Sequence, residues 1–332
     1  MDLSTSYLGL RLAHPLMPGA SPLADSLDTV KRLEDAGAAA IVLRSLFEEQ
    51  ITRERDGLVH NLEVTANTSA EALAYFPKPD DFVFQTHEYL DQIRKIKAAV
   101  RIPVIASLNG TTNEGWLTYA RTIQEAGADA LELNVYFIPT NPKESGADVE
   151  RRTVEILRSV KKAVTIPVAM KLSPFYSSMT HLAHQLDAAG ADGIVVFNRF
   201  YQPDIDVEAL EAVPSLHLSD SSELLLRIHW LAILWGQVKA SLGASGGVHT
   251  GLDAVKAVMA GASAVQVVSR LLEDGPERML TIIQGMKHWM EEHDYESIAQ
   301  MRGSMSLQKS PDPAAFERGN YMKVLRSWRV GA

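Results

Sequence analysis

"ARTIQEAGADALELNV", residues 120–135, decides the fold. An amphipathic helix runs into Ala-Gly-Ala, and a short apolar strand follows at once. The glycine supplies the left-handed conformation that ends a helix, and its small neighbours let the chain turn tightly. The same design recurs as "VKRLEDAGAAAIVLRS" (30–45), "AHQLDAAGADGIVVFN" (183–198) and "VKAVMAGASAVQVVS" (255–269). Strands this continuously apolar are buried on both faces, as in a parallel sheet covered by helices.

Between these units lie "HPLMPGAS" (14–21), "IPVIASLNG" (102–110), "IPVAMKLS" (166–173) and "VKASLGASG" (238–246). Proline precedes the strand in the second and third, where its missing donor does little harm. The sum is eight strands starting near residues 15, 39, 103, 130, 167, 193, 238 and 264, with helices between most of them. The expected fold is α/β, a single (β/α)8 TIM barrel over 1–332 with an N-terminal extension, a long loop after strand 2 and a C-terminal helical tail. The rival is a doubly wound sheet, but no G-x-G-x-x-G follows the first strand. The connection within 46–101 is long enough to be a lid or partner surface, and its run "EEQITRERD" reads as a solvated face. The tail after Pro276 reads as a helix and a polar extension packed under the barrel.

Composition narrows the function. With 41 acidic against 32 basic residues the net charge is −9, which argues against a nucleic-acid surface. Cysteine is absent, so disulfides, thiolate metal sites, an iron–sulfur cluster on this chain and a Cys base are excluded; the cytoplasm is the expected compartment. The N-terminus lacks a signal-peptide pattern. "LLLRIHWLAILW" is interrupted by Arg227 and His229 and is too short to span a bilayer, so no membrane insertion is expected.

Barrels of this kind place chemistry at the C-terminal ends of their strands. Those ends read Ala20-Ser21, Arg44-Ser45, Asn109-Gly110, Asn134, Lys171-Ser173, Asn198-Arg199, Ser245-Gly246-Gly247 and Ser269-Arg270. The ring is polar and cationic, with no carboxylate at these positions, which counts against a two-carboxylate glycosidase or a Mg2+ site. No His cluster has metal-ligand spacing; His181 and His184 read as surface or packing residues on a helix. "GASGGVHTG" places small residues before a helix at Leu252, and with Ser269 and Arg270 it reads as a phosphate cradle at a helix N-terminus. The competing reading of the glycines is tight loop packing. Lys171, after four apolar residues, points into the barrel mouth and needs an anion there. A Schiff base, a phosphate, an electron-rich ring or a snorkelling position at the rim each accommodate it.

These stretches resemble the dihydroorotate dehydrogenase family, in particular its dihydroorotate dehydrogenase-like branch. The resemblance runs over nearly the whole chain and is carried by "YLGLRLAHPLMPGASP", "ALELNV", "VAMKLSP", "GIVVFNRFYQPDID" and "VKASLGASGGVHTG". It implies an FMN-dependent barrel that oxidises dihydroorotate in pyrimidine biosynthesis. By that resemblance Ser245, Gly246, Gly247, Ser269 and Arg270 hold the FMN phosphate, while Ala20 and Ser21 lie against the flavin. Arg44, Ser45 and Asn109 also contact the cofactor, and Lys171 sits beside its pyrimidine edge. Asn134 and Asn198, with Thr140 and Arg199, face the substrate; amide side chains both donate and accept, as an imide edge requires. A homodimer and a separate electron-transfer partner are further expectations from the resemblance. The electron acceptor stays open among fumarate, quinone, a partner subunit and oxygen.

The sequence departs from the family pattern where Arg44 replaces a lysine and Leu218-Ser219 replaces a glycine pair. Most of all, the run Asn134-Val-Tyr-Phe-Ile-Pro-Thr140 lacks the family's Cys or Ser base. Tyr136 is the titratable group of that run; its competing reading is an aromatic wall. Two other functions stay open: a non-redox phosphate-binding barrel, a lyase or isomerase using Lys171, and an FMN-binding protein that has lost dihydroorotate oxidation.

Overall fold

Eight parallel strands form the expected ring in a computed structural model that describes residues 1–48, 86–110 and 113–327. They are β3 (Leu16–Pro18), β4 (Ile41–Phe47), β5 (Val104–Asn109), β6 (Ala130–Asn134), β7 (Val168–Leu172), β8 (Gly193–Val196), β11 (Ser241–Ser245) and β12 (Ala264–Val267), hydrogen-bonded in the order β3-β12-β11-β8-β7-β6-β5-β4. The edges meet where Ala39 N donates to Leu16 O at 3.0 Å. Most of the 46–101 connection and all but the first residue of the "EEQITRERD" run lie outside the described residues.

The four glycines of the recurring phrase behave as their positions require. Gly37, Gly127, Gly190 and Gly261 have φ of 90°, 98°, 92° and 132°, each ending a helix where a β-carbon is disfavoured. In two units the aspartate two residues later staples the barrel's lower rim. Asp129 accepts from Val104 N at 2.7 Å and pairs with Lys97, and Asp192 accepts from Val168 N at 2.8 Å and pairs with Lys161. The seventh barrel strand begins at Ser241 rather than near 238, because Lys239 N and Ala240 N are held by Asp187 Oδ1.

The N-terminal extension is an antiparallel hairpin, β1 (Thr5–Tyr7) with β2 (Leu10–Leu12), that plugs the floor of the barrel. Leu8 and Gly9 turn it with φ of 54° and 72°, the mirror-image turn that suits hairpin twist. A leucine in that conformation costs about 1–2 kcal/mol, offset by burial of its side chain. Tyr7, Leu8 and Leu12 pack with Met17, Val42, Ile105, Ala130, Ala169, Val195 and Ala264 into an inner apolar layer. Strand side chains alternate with a period of two, so the residues two steps on, Ser107, Glu132, Lys171, Phe197 and Gln266, form the next layer towards the mouth, joined by Ser45 because the register of β4 shifts between Val42 and Ser45.

Three segments stand outside the ring. A second hairpin, β9 (Pro203–Asp206) with β10 (Glu211–Pro214), rises after the sixth barrel strand and is not evident in the sequence pattern. The tail begins with a long helix (Arg278–Glu292), and the chain after it lies against the barrel's helices, with Gly303 N, Met305 N and Leu307 N donating to Val258 O, Met259 O and Ala232 O. A last helix, Gly319–Ser327, ends the described chain.

Gly193 has no room for a side chain: a β-carbon there would lie 2.5 Å from Leu8 Cδ2. Gly193→Ala is expected to cost about 1–3 kcal/mol by overpacking the floor, measured by urea unfolding. Leu8→Ala in the same chain should recover part of that loss; a strictly additive double variant would mean that the hairpin does not seal the floor.

His14 joins the first barrel strand to the helix-ending turn. Its Nε2 lies 2.7 Å from Gly37 O, and its Nδ1 accepts from Leu16 N at 3.2 Å, which fixes the neutral tautomer. Burial pulls its pKa below the ordinary 6.5. The unfolded chain therefore binds the proton more readily, so stability present above about pH 6.5 is lost as pH falls from there through the lower folded value. Denaturation series between pH 8 and 5 should show this loss, and His14→Gln should flatten it.

Candidate functional site

The mouth of the barrel holds a cavity of about 560 Å3, counting its open side. Ala20, Lys171, Asn198 and Arg199 line it with Ser245, Gly246, Gly247 and Ser269, so eight residues expected from the strand ends do converge. Seven residues not singled out for the site share the lining: Phe197, Tyr201, Ser219, Arg227, Val248, Gln266 and Val268.

At one end the cavity is a donor-rich cradle. Gly246 and Gly247 adopt φ of 96° and 77°, and β-carbons there would strike the Arg227 guanidinium and the Leu224 backbone. Only glycine fits both the conformation and the space. Gly247 N donates to Ser219 Oγ at 3.4 Å, the Ser219 and Ser269 hydroxyls lie 2.8 Å apart, and Ser219 N donates to Ser269 Oγ at 3.0 Å. Arg227 is buried, its Nε on Ser245 O at 3.0 Å and its Nη1 on Glu223 O at 2.8 Å. These carbonyls fix the guanidinium plane, and Nη2 lies beside Gly246 at the cavity wall. Burial is the first cause that lowers the Arg227 pKa; Glu223 opposes it and Arg199 adds to it. A guanidinium stays protonated under any such shift. The signal for Arg227 was available: with His229 it is one of two polar residues in the helix Leu224–Leu234.

The helix expected to receive an anion near Leu252 does not offer its end. It spans Gly251–Ala260, and a capping box closes it, with Thr250 accepting from Asp253 N while Asp253 Oδ2 takes Thr250 N and His249 N. A carboxylate of the chain itself occupies that terminus, so the cradle rests on the glycine loop, Ser219, Ser269 and Arg227. The last barrel strand stops at Val267, and Ser269 and Arg270 open a short helix, Ser269–Asp274. Arg270 pairs with Asp274 at 2.7 Å and Glu273 at 3.4 Å, away from the lining.

At the other end lies a buried polar triangle. Lys171 Nζ donates to Glu132 Oε1 at 3.1 Å and to Gln266 Oε1 at 3.0 Å, and Gln266 Nε2 donates to Glu132 Oε2 at 2.5 Å. Lys171, Glu132 and Gln266 are 4%, 1% and 1% exposed, so the ammonium is no snorkelling rim group. The anion that Lys171 needs is supplied from within the barrel. Glu132 lies one step below the strand ends, on the same face as Asn134, and that spacing was the signal for it. Removing one partner of such a buried pair typically costs about 3–5 kcal/mol.

A polar chain runs along the adjoining wall. Asn198 Nδ2 donates to Asn134 Oδ1 at 2.7 Å, Asn134 Nδ2 to Ser45 Oγ at 3.4 Å, and the Ser45 and Ser107 hydroxyls lie 2.7 Å apart. Asn134 and Ser45 thus reach the cavity through Asn198. Tyr136 stands at the rim, where its hydroxyl accepts from Tyr201 N at 3.4 Å and its ring lies 6.3 Å from that of Phe200.

Other expected residues lie elsewhere. Arg44 pairs with Asp25 at 2.9 Å, and burial raises the Asp25 pKa against the lowering effect of Arg44. Ser21 turns back to donate to Gly19 O at 3.0 Å, Asn109 is buried at the end of its strand outside the lining, and Thr140 is exposed. His181 and His184 are exposed on a helix, and the described residues contain no group of side chains able to hold a metal ion. No described helix is long and apolar enough to cross a membrane.

A closed parallel barrel whose mouth cavity has glycines and hydroxyls of its last units at one end and a buried ammonium at the other has the form of the barrel enzymes, which work at this end of their strands. The sequence profile described as dihydroorotate dehydrogenase matches residues 83–290. The catalytic subunit of dihydroorotate dehydrogenase B (NAD(+)) of Thermoplasma acidophilum is 30% identical over 91% of this chain and 98% of its own. A putative dihydroorotate dehydrogenase A (fumarate) of Aeropyrum pernix is 26% identical over 91% of this chain and 97% of its own. The PreA subunit of NAD-dependent dihydropyrimidine dehydrogenase of Escherichia coli is 24% identical over 91% and 76%. The chain belongs to the dihydroorotate dehydrogenase family, a family of oxidoreductases.

Proposed function

We propose that this protein is an FMN-dependent oxidoreductase that moves hydride between flavin and a small planar substrate of the dihydropyrimidine or enone type, with dihydroorotate first in line. The observation that carries the reading is a single cavity with a glycine, serine and arginine cradle at one end and a fixed ammonium at the other. The cradle suits a phosphate: its glycines admit no β-carbon, its hydroxyls converge, and Arg227 brings a cation already held by backbone carbonyls. FMN, when bound, supplies the hydride chemistry.

The chain's residues supply the rest. Gly246, Gly247, Ser245, Ser219, Ser269 and Arg227 bind the phosphate; Ala20 packs against the ring system. Lys171 presents a cation to the edge on which reduced flavin carries negative charge. Asn134 and Asn198 offer a donor and an acceptor to an imide or amide edge, and Arg199 closes the wall beside them. No Cys or Ser takes a proton from substrate carbon in the run after Asn134, and Tyr136 is the titratable side chain there. Its oxygen accepts a backbone N–H and its own proton remains to be given, which favours it as a donor in the reductive direction. The relatives named as subunits support a separate electron-transfer partner.

The purified protein, reconstituted with FMN, should be yellow, and anaerobic dihydroorotate should bleach it. A yellow protein that dihydroorotate leaves unbleached, and that a dihydropyrimidine or an enone re-oxidises after chemical reduction, redirects the substrate. A protein that stays colourless with excess FMN sinks the reading and favours the non-redox barrel.

Arg227→Met should weaken FMN binding about 10- to 100-fold, the scale of one charge-assisted hydrogen bond, in a fluorescence-quenching titration. Riboflavin, which lacks the phosphate, should bind wild type and variant alike. An equal loss for both ligands would assign Arg227 to packing instead.

A further inference from the structure

We infer that Glu132 is a positioning residue that sets the charge felt at the cofactor's edge: it aims Lys171 and offsets its charge, so reduced flavin gains less from this lysine than from an unpaired ammonium. The inference rests on the FMN reading and adds a residue and a regulated quantity to it.

Three strands build the arrangement. Asn134 of β6 stands in register with Lys171 of β7, so Glu132 approaches Lys171 from the neighbouring strand, one inward step below. Gln266 comes from β12, and β8 and β11 separate β7 from β12 in the sheet, so its hydrogen bonds cross the lumen. Each group is used up by the others except one. Glu132 spends Oε1 on Lys171 and Oε2 on Gln266, while Gln266 gives its oxygen to the ammonium and its nitrogen to the carboxylate. Reversing that amide would set N–H against N–H and oxygen against oxygen, so the two charges fix its orientation. An ammonium has three donors; two are committed, and Lys171 lines the cavity with the third to offer.

Solvent cannot weaken the offset from below. The N-terminal hairpin closes the floor, and Tyr7 lies beneath Glu132 with its hydroxyl buried and unpartnered among the described residues. Burial first, and the Glu132 charge second, push the Tyr7 hydroxyl pKa well up, so no proton is lost there to add charge. Carboxylate and ammonium therefore act together through a low-dielectric interior, where each charge counts for more than in water. Without Glu132 the lysine would favour the reduced anionic cofactor; with it, the site stays closer to neutral.

The test compares the midpoint potential of FMN bound to wild type, Glu132→Gln and Gln266→Glu, by anaerobic reductive titration against reference dyes. Glu132→Gln removes one negative charge with little change of shape. It should raise the preference for reduced over oxidised FMN at least about tenfold, a rise of about 30 mV for a two-electron couple. Gln266→Glu adds a negative charge beside the same ammonium and should move the potential the other way. Both variants should still bind oxidised FMN. A preference for reduced over oxidised FMN within threefold of wild type in both variants, shifts of the same sign, or loss of FMN from both variants while wild type binds it would each overturn the inference. A colourless wild type overturns the parent reading, and this inference with it; a yellow wild type with unmoved variants overturns this one alone.

Discussion

An ammonium held inside a barrel needs a carboxylate with it, and much of this molecule is arranged around that requirement. Lys171 is reached by Glu132 because the two strands lie in register, and by Gln266 because the lumen is narrow enough to cross. Below them the lumen is filled with small and branched apolar side chains and sealed by the hairpin bearing Tyr7 and Leu8. That seal gives the charges their strength, since water reaching Glu132 from the floor would screen them. Gly193 belongs to the same constraint, because its missing side chain is the space that Leu8 fills.

The sequence exposes some of this directly. Eight strand starts could be placed because each follows a local backbone event, a glycine ending a helix or a proline opening a strand, that depends on neighbouring residues alone. The inward layer was legible in the same local way. Glu132 and Asn134 lie two apart, and a strand that aims one into the mouth aims the other into the lumen. Thr250-x-x-Asp253 was likewise a readable capping box, and it closes the helix end that follows the glycines.

Other parts depend on encounters that spacing does not encode. Arg227 reaches the cradle from a helix almost twenty residues earlier in the chain, and its target is the carbonyl of Ser245. Arg270 stands next to Ser269 in sequence, but Glu273 and Asp274 on its own helix capture it. Arg44, expected at a strand end, lies within the strand Ile41–Phe47 and turns to Asp25. In each case a guanidinium chooses among several acceptors, and spacing along the strands does not encode that choice. The hairpin of Pro203–Asp206 and Glu211–Pro214 carries no alternation strong enough to reveal it, because almost all of it is exposed.

The two halves of the site also differ in what supports them. Of the groups that would bind and tune a flavin, Lys171, Glu132, Gln266 and Ser245 stand on strands and Gly246 and Gly247 on the turn that follows one, where a change of side chain disturbs the barrel itself. The groups that would exchange a proton with substrate belong to the loop after Asn134, whose residues from Phe137 to Thr140 are exposed and support no strand. Such a loop can replace a base with Tyr-Phe-Ile without cost to the fold. Family membership therefore speaks most strongly for the strand-borne half. The rim of Tyr136, Phe200 and Phe175, in which the last two rings meet edge to face at 4.7 Å, belongs to the half that sets this chain apart.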